Sequence, residues 1–452
     1  MTSRAWSVIA LLALAIVAGT ALWLRCEGTP PAVDAPAELA LGREPRTVEI
    51  AVSDARSGIR RVTARLRHAG GEIALLDEAL PGNLATGAEG AAPAPYELRL
   101  EAKALGLREG QAFLVVEATD WSWAHLLAGN RTTLEIPVEV DLTAPKVQVE
   151  TGLAYLTRGG SGAVSYLLDA PAERDGVDVA GTFFPAHPFP GSAGERPRRF
   201  ALYAIPRDAP AEPAIRVVAE DAAGNRTARG WQTRLTERAF EDVRIELGER
   251  FMQEKIPELA EAVSVDEGTP LTDFQKINRD VRAANEARIR EIVVGSADEK
   301  LWDGAFLQMR NSAVTSRFAE HRSYFLGGEK VSEAIHYGYD LASLSGAPIE
   351  AGNAGRVIFA DELGIYGNTV VLDHGLGLAS LYAHLSRVDV APGEDVVKGQ
   401  TLGTSGQTGL AGGDHLHFAI LVGGVYVDPV EWWDSKWVRE KIESQLEPPP
   451  AP

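Results

Sequence analysis

Short runs in which apolar and polar residues alternate dominate the first half of the chain. RTVEIAVSD (46–54), RRVTARLRHAG (60–70), YELRLEA (96–102), AFLVVEATD (112–120) and TTLEIPVEV (132–140) repeat with a period of two and are broken by Gly, Pro and Asp. A period of two places alternate side chains on one face of a strand, so these runs predict a small antiparallel sandwich. The pattern changes after residue 237. AFEDVRIELGERFMQEKIPELAEAV (239–263) and LTDFQKINRDVRAANEARIREIV (271–293) have helical periodicity and dense charge, with Thr272 or Asp273 as the expected cap of the second helix. From residue 301 the chain is again strand-rich, and glycines separate GRVIFADE, GNTVVLDHG, LASLYAHLS, GQTLGTSGQTG and DHLHFAILVGG.

A weak repeat lies within the β-rich half. VVEATDWSWAHLLAGNRT (115–132) matches VVAEDAAGNRT (217–227) once a short insertion is allowed. Both read as a strand, a turn with Asp and Gly-Asn, and a second strand. With the junction VDLTAPKVQVE (140–150) between them, the copies resemble bacterial immunoglobulin-like modules. The fold class expected is therefore mainly β: one or two immunoglobulin-like sandwiches, a helical connector and a C-terminal antiparallel β-domain.

The N-terminus carries a different signal. AWSVIALLALAIVAGTALWL (5–24) has no charge and is long enough to cross a bilayer as a helix. Arg4 before it, and no clean cleavage site after it, predict an uncleaved signal anchor. The expected organisation is an anchor over 1–25, a Pro-rich linker over 26–38, and β-modules over 39–143 and 144–236. A helical connector over 237–300, a C-terminal β-domain over 301–440 and a disordered tail over 441–452 follow. On this reading the protein sits in the inner membrane by a single pass, with its C-terminal domain in the periplasm.

Composition narrows the chemistry. Of 452 residues, 45% are hydrophobic and 24% charged, as in globular proteins, and the formal net charge is -19. An acidic chain is a poor nonspecific binder of nucleic acid, and none is expected as a partner. A lone cysteine, Cys26, excludes both an internal disulfide framework and a thiolate zinc site.

Five of the nine histidines fall between 336 and 417, where glycines also cluster. In DHLHF, His415 and His417 share one strand face while Leu416 and Phe418 share the other. In HYGYDLA, His336 and Asp340 share a face of an extended segment, and Gly338 leaves room between them. His384 in LYAHLS lies in an apolar strand. Taken singly, each has a bland explanation: a solvent-facing pair, a hydrogen bond at a turn, a satisfied core histidine. His374 reads as structural, and His321 has no assigned role. Jointly they meet the needs of a hydrolytic zinc site: three neutral or anionic ligands and two spare imidazoles.

HYGYDLA, YGNTVVLDHG, LYAHLSRVDVAPGEDVVKGQTLGTSGQTG and GGDHLHF resemble the lysostaphin-like zinc endopeptidases of peptidoglycan, over about residues 325–430. The resemblance implies a lysostaphin-like β-domain with a groove across it. It implies Zn2+ held by His336, Asp340 and His417, with His384 and His415 catalytic, and a peptidoglycan peptide as substrate. The chain departs from the family pattern at Asp414, where Gly-Pro usually precedes His-x-His, and at Ala419, where Glu is frequent. Neither is a ligand position, and Asp414 bears on groove polarity. A non-catalytic regulator of another peptidoglycan hydrolase is the alternative, and a protein regulator acting on the connector is a further expected partner.

Overall fold

Alternation in sequence becomes alternation in burial. In the strand Arg46–Ser53, Val48, Ile50 and Val52 are buried while the residues between them face outward. The computed structural model describes residues 9, 12–17, 19–20, 23, 25–89, 93–191 and 197–447. It divides into two units, one of residues 1–144 and 220–226, the other of residues 145–219 and 227–452.

The first unit is a two-sheet sandwich. Ala32–Asp34, Arg46–Ser53 and Tyr96–Leu100 form one antiparallel sheet. The second sheet runs in the order Leu39–Leu41, Arg131–Val140, Gly110–Asp120, Ile59–His68, Gly71–Ala79. Both feed one core, in which Ile50, Leu66, Leu100, Leu114 and Val138 are almost fully buried. The anchor expected over residues 1–25 lies largely outside the described residues. Among the described residues no helix is long and apolar enough to cross a membrane.

In the second unit the residues expected to form a separate β-module share one continuous core with the C-terminal domain. Phe200, Tyr203 and Val217 belong to the same buried cluster as Leu381, Leu421 and Trp432. The connector is more than helices. Asp242–Glu246 is a strand that pairs in parallel with Glu320–Leu326, in a three-stranded sheet completed by Glu329–His336. Two helical stretches follow, Phe251 to Ala262 and Pro270 to Ile292. The second is capped by Thr269, not by Thr272 or Asp273. Pro270 can open the helix because a first-turn residue needs no N–H partner, and the Thr269 hydroxyl accepts from Thr272 N. Residues 441–445 of the expected tail take helical turns, and 448–452 lie outside the described residues.

The C-terminal sheet positions the candidate site. Its order is Ala313–Ser316, Tyr339–Ala342, Leu416–Val422, Leu378–Leu385, Asn368–Gly375, Gly355–Glu362, Asp395–Val396. All these pairs are antiparallel. Leu416–Val422 and Leu378–Leu385 are buried along their whole length, so the sheet is covered on both faces.

Candidate metal centre

Sheet register brings the parts together. Asp340 lies directly across from His417, and Ala383, the neighbour of His384, lies across from His417 on its other side. His336 ends the strand Glu329–His336, and a two-residue bend returns the chain to the strand that carries Asp340. The bend needs Gly338 for space. A Cβ there would sit 2.6 Å from Cε1 and Nε2 of His417 and 2.7 Å from the Phe418 carbonyl. The gap read from the sequence between imidazole and carboxylate is thus filled by a third side chain.

Three polar atoms converge. His336 Nε2 is 2.9 Å from Asp340 Oδ1 and 3.0 Å from His417 Nδ1, and His417 Nδ1 is 2.9 Å from Asp340 Oδ1. All three residues are buried. His336 Nδ1 faces the Arg317 carbonyl at 2.9 Å, and a carbonyl only accepts. That bond holds the proton on Nδ1 and leaves a lone pair on Nε2, aimed at a carboxylate oxygen and another imidazole. Two facing acceptors, His336 Nε2 and Asp340 Oδ1, repel in a buried place unless a cation lies between them, and His417 Nε2 is buried with no hydrogen-bond partner among the described residues. Tetrahedral zinc with bonds of about 2.0–2.2 Å spaces its ligand atoms roughly 3.3–3.5 Å apart, slightly wider than this triangle. One carboxylate and two imidazoles also suit zinc in kind.

His384 and His415 complete the cluster, with ring centroids 4.8 Å apart. His384 Nδ1 donates to the Thr408 carbonyl at 2.8 Å, and His415 Nδ1 to the Gly413 carbonyl at 2.8 Å. Neither Nε2 is taken up by a backbone partner, and that of His415 faces Asp340 Oδ1 at 3.6 Å. His384 adopts φ +64°, the left-handed region that residues with a Cβ seldom enter. Strain of this kind persists where the surroundings fix it, and it is concentrated at functional sites.

Burial pushes the Asp340 carboxyl up. In the metal-free protein, charge on a protonated His336 and hydrogen bonds from His336, His415 and His417 when they carry the proton outweigh that effect and hold it well below its ordinary range. Burial pulls His417 down to about 4 and His384 well below its usual value. For His415, hydrogen bonding and attraction to Asp340 overcome burial and raise it.

The sequence reading missed Arg322. Its Nη2 donates to Asp340 Oδ2 at 2.9 Å, and its Nε donates to Glu320 Oε2 at 3.1 Å. No spacing rule marks an arginine in EHRSYF as the partner of an aspartate eighteen residues on. His374 is buried and bonded to the Ala354 carbonyl and Ser380 Oγ, and His321 meets Asp242 and Glu333 at the surface. Asp414 accepts from Ser405 Oγ, Ser345 Oγ and Gly346 N, and so ties two loops together beside His415.

The cluster opens into a cavity of about 380 Å³. Tyr366, Ile365 and Leu410 line it from the C-terminal domain. Leu247, Gly248, Phe251 and Phe274 of the segment expected as a connector line it from the other side.

Residues 334–429 match the model of Peptidase family M23, and this stretch of the chain is an M23 peptidase domain. Over 96 residues the chain is 40% identical to the DD-carboxypeptidase/endopeptidase Mpg of Neisseria meningitidis, covering 21% of this chain and 22% of that protein. It is 38% identical over 91 residues to the peptidoglycan DD-endopeptidase ShyA of Vibrio cholerae, covering 20% and 21%. The match therefore spans about a fifth of these curated relatives. The catalytic domain of the antimicrobial peptidase lysostaphin from Staphylococcus simulans is 27% identical over 29% of this chain and 98% of that chain, with a TM-score of 0.25.

Proposed function

We propose that the chain is a zinc-dependent endopeptidase that hydrolyses peptide cross-links of peptidoglycan. One observation carries the reading: a carboxylate oxygen and two imidazole nitrogens meet within 3.0 Å of one another, beside two more imidazoles. The substrate class is supported by relatives whose names give them as endopeptidases, one of them of peptidoglycan.

His336 through Nε2, Asp340 through Oδ1 and His417 through Nδ1 would hold the ion. Zn2+ bound there supplies Lewis acidity toward a peptide carbonyl and toward water. The Arg317 carbonyl orients His336, and Arg322 braces the outer oxygen of Asp340. His384 and His415 present their Nε2 atoms to the same cavity. As a pair they take the proton of the attacking water and steady the developing oxyanion. The uncharged run at residues 5–24 supports a place in the inner membrane, with this domain on the periplasmic side.

Digestion of purified peptidoglycan by the full chain, wild type beside His417→Ala, with products identified by mass spectrometry, tests the reading. Cross-linked fragments should be cleaved by the wild type only, and zinc should be present in the wild type and depleted in the variant. Identical product profiles would overturn the assignment. A metal-free wild type that binds peptidoglycan without cutting it would instead make the protein a regulator.

A further inference from the structure

Away from the histidine cluster, three carboxylates meet inside the first unit. Glu27, Asp54 and Asp120 each place one carboxylate oxygen within 4.8 Å of the other two. They come from three separate pieces of chain. Glu27 precedes the first strand, Asp54 follows the strand Arg46–Ser53, and Asp120 ends the strand Gly110–Asp120.

Each carboxylate is aimed by backbone amides acting on one of its oxygens. Glu27 Oε1 accepts from Ser57 N at 2.8 Å. Asp54 Oδ1 accepts from Arg56 N and Gly58 N, and Asp120 Oδ1 from Ser122 N and Asn130 N. Asp120 Oδ2 also accepts from Asn130 Nδ2. The remaining oxygen of Glu27 has no such use. Oε2 is buried and has no hydrogen-bond partner, on a residue only 4% exposed.

Nearby positive charge does not balance the cluster. Among the described residues Arg56 pairs with the cluster, its Nε 3.9 Å from Glu27 Oε2 and beyond hydrogen-bond reach, on a side chain 53% exposed. Arg25 is buried close by, where its Nε and Nη2 donate to the carbonyls of Leu84 and Trp121. A buried carboxylate oxygen with no donor, facing two more carboxylates, is a costly arrangement without a compensating cation. An all-oxygen, multiply charged donor set selects a hard divalent ion, and three carboxylates from separate pieces of chain suit the irregular oxygen shell of calcium better than the stricter octahedron of magnesium.

The internal repeat supplies a comparison. At the second copy Asp221 Oδ1 accepts from Ala223 N and Asn225 N, Asp221 Oδ2 accepts from Asn225 Nδ2, and Asn225 Nδ2 also reaches the Asp141 carbonyl. At the first copy Asn130 Nδ2 reaches the Glu27 carbonyl in the same way. The Asp–Asn hydrogen-bond pattern is thus the same in both, although the first turn carries an insertion. Among the described residues only the first copy adds two further carboxylates. The extra charge is not required to make the turn.

We propose that Glu27, Asp54 and Asp120 form a Ca2+ site that clips the segment entering the first sandwich onto two of its loops. The site is separate from the histidine cluster and does not depend on the peptidase reading.

Equilibrium dialysis of the purified, zinc-loaded full chain against radioactive calcium tests it. One Ca2+ per chain is expected, with a dissociation constant of about 10⁻⁴ to 10⁻³ M, the range of extracellular calcium modules. Glu27→Gln and Asp54→Asn should each weaken binding at least about tenfold, whereas His417→Ala should leave it intact while abolishing zinc. Saturating Ca2+ should also raise the wild-type melting transition by a few degrees and slow cleavage by protease near residue 27. Absence of calcium binding by folded wild type, or undiminished binding by both acidic-site variants, would overturn the proposal.

Discussion

Arg322 Nη2 donates to Asp340 Oδ2 at 2.9 Å, while the other oxygen, Oδ1, faces His336 and His417. One carboxylate therefore serves a guanidinium on one side and the imidazole cluster on the other. Both partners are largely buried, with side chains 16% and 10% exposed. Removing one partner of a buried pair strands the other charge, at about 3–5 kcal/mol. Arg322→Met should destabilise the metal-free protein by that order and weaken zinc about 10–100-fold. Urea unfolding and competition with a zinc chelator measure the two effects separately. Unchanged zinc affinity would mean that Arg322 does not act on the site.

Gly338→Ala is expected to injure the site by crowding alone. Its new methyl group would meet the His417 ring and the Phe418 carbonyl at 2.6–2.7 Å, and neither is the tip of a flexible chain. Overpacking of this kind costs about 1–3 kcal/mol. The His417 ring has to turn, so zinc content should fall along with melting temperature. Full zinc occupancy in Gly338→Ala, by elemental analysis, would contradict the geometry.

Glu431 carries a pH dependence of stability. Burial raises its carboxyl to about 7, against hydrogen bonds from Ser161 that lower it. A raised carboxyl means that the fold prefers the neutral form. Its contribution is complete below the ordinary value near 4.5 and is lost as pH climbs through 7. Glu431→Gln keeps an acceptor for Ser161 N and cannot ionise. It should melt higher than wild type at pH 8, with a stability difference of up to about 3 kcal/mol, and converge with it near pH 4, below the ordinary value. Calorimetry at the two values decides, and a gap that stays constant with pH would count against the burial argument.

The segment containing Leu247 and Phe251 lines the cavity that holds the imidazoles. Phe251 packs edge-on against Phe274, which in turn meets Tyr324. If this wall limits entry, Phe251→Ala should raise the initial rate on intact peptidoglycan by a few-fold, with less effect on a short soluble peptide. Equal changes on both substrates would show that the wall does not gate access.

Much of the site was legible in the sequence because its signals are local. His415 and His417 share a face by strand periodicity alone, and the structure sets both against Asp340 Oδ1 at 3.6 and 2.9 Å. His336 and Asp340 were legible as a close pair, but not as neighbours on one extended segment: a bend at Tyr337 and Gly338 separates the strand that ends at His336 from the strand that carries Asp340. The role of Gly338 was half legible. Its small size was read as space, but what occupies that space comes from a strand some eighty residues away. Thr269 as a cap was missed because two candidate caps lay within four residues and only the folded turn chooses among them. Arg322, Asp54 and Asp120 gave no warning. A lone arginine, or a lone aspartate at a turn, is among the commonest features of any surface.

By itself the sequence determined which residue types stand at which local spacing. That was enough to indicate strands, helices, a repeated turn and a set of possible ligands. Tertiary structure alone decided which of them meet. Cross-strand register put Asp340 opposite His417, and loop packing put Glu27 beside Asp54 and Asp120. It also decided that the later β-module and the peptidase domain share one core. The physical reason is range. Dihedral preference and side-chain periodicity act over a few residues. Charge pairing, metal geometry and burial act through space, between residues the chain keeps far apart.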